Sequence, residues 1–171
     1  GIMNTNRDRD MTPAKTDFHP QGGGAKNFLA FLIKELIPHV DQKFRTSKIR
    51  ILYGRSDSGL FALYALLESP DTFSAVISSS PTVGLSPMLL RTKTFEMFQT
   101  HPHLDNILFI IYGNRDIPLA KDFIPDFVHT VQSCKNPEFH FKAQVISDEG
   151  HIPESSLFHG FRFIWHKNSH H

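Results

Sequence analysis

Strand and helix patterns alternate along this chain, and the alternation predicts an α/β fold. The expected architecture is a three-layer α/β/α sandwich around a mostly parallel, doubly wound sheet with right-handed crossovers. Two stretches point the same way. Asn106-Ile-Leu-Phe-Ile-Ile-Tyr-Gly113 is apolar on both faces, as a central parallel strand must be when helices cover both sides. Ile49 to Tyr53 is a short β-branched run that passes through Gly54-Arg55-Ser56-Asp57-Ser58-Gly59 into Leu60, Leu63, Tyr64 and Leu67 at helical spacing. A buried strand there turns sharply into a helix.

Taken in order, Gly1-Ile2-Met3 reads as the end of a strand, and residues 4–10 as a polar loop that Pro13, Pro20 and Gly22 to Gly24 extend. Phe28, Leu29, Leu32, Ile33, Leu36, Ile37 and Val40 then form one apolar stripe, predicting a helix from Ala25 to about Phe44 with a kink or break near Ile37, because Pro38 lies inside it. Phe73 to Ser79 is a second strand and residues 86–100 a weakly periodic helix. The strand 106–113 is followed by a helix from Pro118 to Cys134, a strand from Phe139 to Ile146 and a helix from Pro153 to Trp165. Residues 167–171 are expected to be a disordered tail or tag remnant.

The chain of 171 residues predicts one domain with a proper core. A net charge of +1 leaves no dominant basic face, which argues against a nucleic-acid partner. No apolar run approaches the roughly 18 to 20 residues of a membrane span. Cys134, the single cysteine, cannot form an internal disulfide, and the compartment, cytoplasmic, periplasmic or secreted, stays open. His101-Pro102-His103 lacks an acid or cysteine cluster, so no metal is assigned, and no cofactor either.

In open parallel sheets, functional groups gather at the carboxyl ends of the strands. Ser56 follows the first complete strand, Asp116 follows the strand 106–113, and His151 follows the strand 139–146. Serine, acid, histidine is the chain order of one class of hydrolytic triad, and the turn at Ser56 matches a nucleophile elbow whose second glycine comes one residue late. The chemistry requires all three: an imidazole to take the hydroxyl proton, a carboxylate to hold that imidazole in the right tautomer, and two N–H donors for the oxyanion. One donor is the backbone of Asp57, the residue after the serine. The other belongs to the loop from Met3 to Asn6, with Asn4 as the candidate. Asp148 and Glu149 adjoin His151 too closely in sequence to serve easily as the acid.

These residues resemble the esterase family of the α/β-hydrolase superfamily that includes enterochelin-type siderophore esterases and S-formylglutathione hydrolases. The resemblance rests on Asn6 to Pro13, Gly23-Gly24-Ala25, Phe28-Leu29 through Pro38, Gly59 to Tyr64, Ser80-Pro81, Gly113-Asn114-Arg115-Asp116 and Gly150-His151. It implies an acyl hydrolase acting on a small-molecule ester, with Ser56 as nucleophile, Asp116 as acid and His151 as base. Ser58 and Asp57 depart from the family pattern. A carboxylate at Asp57 would oppose the oxyanion unless it points away or pairs with a cation. Thr82-Val83-Gly84 replaces an aromatic residue, so the acyl pocket differs. Relatives begin with strands this chain lacks, so the domain reads as N-terminally truncated, with an open sheet edge through which copies would associate. The alternatives are a non-catalytic binding domain on the same fold and an acyltransferase using the same triad.

Overall fold

The computed structural model describes residues 6–168, with side chains described as far as Trp165. Four parallel strands form one sheet in chain order: β1 (Ile51–Arg55), β2 (Ala75–Ser79), β3 (Ile107–Gly113) and β4 (His140–Ile146). Because the order β1-β2-β3-β4 does not reverse, the described sheet is not doubly wound, although helices cover both of its faces.

The helices, in order, are α1 (Arg7–Met11), α2 (Ala25–Phe31), α3 (Ile37–Lys43), α4 (Asp57–Glu68), α5 (Pro87–Thr100), α6 (Pro118–Lys121), α7 (Ile124–Ser133) and α8 (Ser156–Asn168). Side chains on a strand alternate between faces, and the two cores follow that alternation. Val76, Leu108 and Ile110 pack with Leu60 and Leu63 of α4, Leu90 of α5 and Ile124 of α7. Ala75, Ile77, Phe109 and Ile111 pack on the opposite side against Ile164 of α8. β3 is therefore buried on both faces, as its apolar run requires.

Four expectations change. Residues 7–11, expected as loop, form α1, because Asn6 caps it: its side-chain oxygen accepts the Arg9 N–H at 3.0 Å. The long helix from Ala25 bends through a π-helical turn at Leu32–Leu36, where the Ile37 N–H reaches Leu32. Pro38 has no N–H to continue the α-helical ladder, and widening the preceding turn absorbs the mismatch. The helix from Pro118 is two helices, since a proline at 125 would clash with the carbonyl four residues back; it begins α7 instead. Lys167 and Asn168, assigned to a tail, continue α8. Residues 1–5, which include the expected strand end and Asn4, and residues 169–171 lie outside the described part.

Candidate active site

The strand-to-helix turn between β1 and α4 is built by close backbone approach. A Cβ at Gly54 would lie 1.9 Å from the Ser58 carbonyl oxygen, so only glycine fits there. The second close approach is at Gly59, where a Cβ would come within 3.1 Å of the Ser78 hydroxyl and the Ser79 carbonyl. The glycine that is one residue late in the sequence is thus the one that lets α4 cross β2. Ser58 closes the turn: its hydroxyl accepts the Arg55 N–H at 2.9 Å and donates to the Arg55 carbonyl at 2.7 Å.

This geometry forces Ser56 to φ 56°, ψ −123°, a conformation that costs a non-glycine residue about 1–3 kcal/mol. The Ser56 N–H is anchored on the Ser79 carbonyl at 2.9 Å. Its side chain makes no capping bond to α4 and points to His151. His151 Nε2 lies 2.9 Å from Ser56 Oγ, and His151 Nδ1 lies 2.5 Å from Asp116 Oδ1. A carboxylate can only accept, so Nδ1 carries the hydrogen and Nε2 is left free to take the serine proton. The fold brings together all three side chains named from the sequence.

Asp116 is almost fully buried, and both of its oxygens have partners. Besides His151, it accepts the Ile117 N–H at 2.7 Å and the Ser80 hydroxyl at 2.5 Å. Ser80 in turn accepts the Ile152 N–H at 2.9 Å, tying the acid to the histidine loop. Ser80 (φ 46°) and Ile152 (φ 64°) share the positive φ of Ser56, so strained backbone clusters around Ser56, Asp116 and His151. The acid and histidine loops are further joined by Arg115 N–H to Glu149 O at 3.0 Å and by an Arg115–Asp148 ion pair at 2.5 Å. Asp148 is therefore occupied at the surface, not as triad acid.

Asp57 opens α4, whose first N–H groups have no partner within the helix, so its backbone N–H is available beside Ser56. Its carboxylate is engaged elsewhere: Oδ1 accepts the Thr82 hydroxyl at 2.8 Å, and Oδ2 lies 3.4 Å from His19 Nε2. His19 Nδ1 faces Asp8 Oδ1 at 3.6 Å. Asp8, His19 and Asp57 thus bring donor atoms within 4.8 Å of one another, a grouping that sequence reading missed. The carboxylates face opposite nitrogens of one ring, which suits a charge-bridging imidazole better than one shared ion. His101 and His103 face different carboxylates, those of Asp71 (4.0 Å) and Glu138 (3.7 Å), and do not converge.

Ser80 was present in the sequence only as part of the Ser-Pro match, and nothing local marked it as the partner of Asp116. His19 had no signal at all, because its partners lie on α1 and α4.

A parallel sheet with helices on both faces, and a serine held on a sharp turn after a strand, define an α/β-hydrolase type of fold. The chain belongs to an esterase family: the family described as "Putative esterase" matches residues 3–124. That match covers Ser56 and Asp116 and ends before His151. Among curated relatives, the ferri-bacillibactin esterase BesA of Bacillus subtilis is 34% identical over 76 residues, 44% of this chain and 26% of that protein. The siderophore enterobactin esterase of Emericella nidulans is 33% identical over 136 residues, 67% of this chain and 44% of that protein. An IroE-like serine hydrolase from Shewanella oneidensis superposes with a TM-score of 0.85 at 28% identity, covering 97% of this chain and 58% of that structure. The chain spans less than half the length of these two curated relatives. Among the described residues, no helix is long and apolar enough to cross a membrane.

Proposed function

We propose that this chain carries the catalytic centre of a serine esterase that cleaves carboxylic esters of the siderophore class. The observation that carries the reading is the His151 ring bridging Ser56 Oγ and Asp116 within hydrogen-bond distance on both sides. The substrate class rests on the named activities of the relatives.

In this reading Ser56 Oγ attacks the ester carbonyl while His151 Nε2 takes its proton. Asp116 holds the Nδ1 hydrogen and stabilises the imidazolium. The Asp57 N–H donates to the oxyanion of the tetrahedral adduct, with a second donor from the residue 3–6 loop, for which Asn4 is the candidate. The adduct collapses as His151 gives its proton to the leaving alcohol, leaving an acyl group on Ser56. Water, deprotonated by His151, then releases the acid and regenerates the serine.

The formed Ser56–His151 contact supports hydrolysis over a purely binding role, and hydrolysis and acyl transfer differ only in the second acceptor. The test is labelling with a fluorophosphonate probe together with hydrolysis of p-nitrophenyl acetate. Both are expected of the wild-type chain and neither of Ser56→Ala; an unlabelled wild type leaves the binding domain as the better reading. The same proposal includes self-association, because β1 pairs with β2 alone among the described strands and Ile49 beside it is 62% exposed.

A further inference from the structure

The residue after the nucleophile carries the one negative charge that the proposed reaction would least tolerate. Asp57 supplies the backbone N–H for the oxyanion, and a free carboxylate on the same residue would repel the charge that the N–H is there to stabilise. The Thr82 hydroxyl satisfies one oxygen by a neutral hydrogen bond, which leaves the charge in place. The group that faces the other oxygen is His19, 3.4 Å away.

His19 is well suited to that position. It sits in the loop between α1 and α2, and a tight turn holds it: His19 N–H donates to the Thr16 hydroxyl at 3.0 Å and the Gly22 N–H donates to His19 O at 2.9 Å. The His19 side chain is only 17% exposed, and that of Asp57 16%. Its Nδ1 is buried without a hydrogen-bond partner in the described structure. Each ring nitrogen faces a carboxylate oxygen, Nδ1 that of Asp8 and Nε2 that of Asp57. Asp8 on α1, which is more exposed, holds the ring from the far side. Among the described residues, the ionic contacts of His19 are with Asp8 from α1 and Asp57 from α4.

We propose that His19 is a positioning residue. Held between Asp8 and Asp57, it draws the Asp57 carboxylate and its charge towards the α1–α2 loop, so that the Asp57 N–H meets the developing oxyanion unopposed. This rests on the esterase reading above, and it concerns a residue that never touches the ester. The oxyanion forms at each tetrahedral adduct and is absent from the bound ester, so losing His19 slows the chemical steps and lowers kcat without weakening the binding of the ester.

The experiment is a double-mutant cycle of His19→Gln and Asp57→Asn, read by p-nitrophenyl acetate kinetics and by thermal melting. His19→Gln is expected to lower kcat about 10- to 100-fold, within what one uncompensated charge a few ångströms away produces between water-like and protein-like screening. In the Asp57→Asn background the same change is expected to have little effect on kcat, because no charge remains to be offset. Coupling in melting without coupling in kcat makes the pair purely structural and overturns the proposal; so does an equal kcat loss from His19→Gln in both backgrounds. A wild-type activity that EDTA removes and zinc restores, with His19→Gln insensitive to both, overturns it in favour of a cation site. If the wild type neither labels with fluorophosphonate nor hydrolyses ester, the esterase reading itself fails and the proposed role for His19 falls with it, whereas labelling with additive kcat losses sinks only the His19 role.

Discussion

Asp116 shows how much of the candidate site lies outside its three named side chains. A buried carboxylate needs hydrogen-bond donors to stay in place, and here the Ile117 N–H and the Ser80 hydroxyl supply them beside the contact with His151 Nδ1. Ser80 also receives the Ile152 N–H, so its hydroxyl is one of the links between the acid and histidine loops. Removing it leaves a charged acceptor one donor short, and hydrogen bonds to charged groups are worth about 1.5–3 kcal/mol. Ser80→Ala is therefore expected to lower kcat for p-nitrophenyl acetate about 10- to 100-fold while the fluorophosphonate still labels Ser56, only more slowly, if the bond stabilises the working triad by that amount. An unchanged kcat would show that Asp116 needs no support from the Ser80 hydroxyl. The three side chains that the fold brings together, Ser56, Asp116 and His151, were legible from chain order and strand ends. Ser80 and His19 were not, because hydrogen bonds and ion pairs between distant segments leave no local pattern.

At the scale of elements, glycine and proline decide the shape of the chain around the site. Gly54 is closed in by the Ser58 backbone, which cannot retreat without unwinding the first turn of α4. Gly54→Ala is expected to cost about 3 kcal/mol or more, at the upper end of overpacking penalties, and to abolish labelling of Ser56. At Gly150 an added Cβ meets nothing within 4 Å, so Gly150→Ala is expected to stay within about 0.5 kcal/mol of wild type. Denaturant melts of the two variants make the comparison, and equal stabilities would refute the close-packed elbow. The strands were legible to within a few residues because burial on both faces demands continuous apolar runs, as in β3. The π turn before Pro38 and the division between α6 and α7 were less so. Proline announces that a helix is interrupted, but how the backbone absorbs it depends on what the helix packs against.

At the scale of the whole molecule, the sheet formed by the described strands has two different edges. β4 carries Lys142 and the half-exposed Val145, and a lysine on an edge strand discourages pairing. β1 lies beside a pocket in which Leu36, Ile37, Val40, Ile49 and Phe73 are joined by Thr46, Ser47 and the Asp41–Arg50 ion pair, and the proposed self-association would use this edge. Light scattering at micromolar concentration is expected to show a species larger than a monomer, and Ile51→Lys to shift it towards the monomer. A monomeric wild type removes self-association through β1.

The sequence by itself determined the α/β class, the strands and the order Ser56, Asp116, His151, since apolar periodicity and turn residues are local consequences of burial and backbone sterics. Only the tertiary structure decided that the sheet runs in simple chain order, that Ser80 holds the acid, and that the Asp57 carboxylate turns to Thr82 and His19. Those are matters of which distant segments meet, and electrostatic and hydrogen-bond partners act through distances in space that spacing along the chain does not encode.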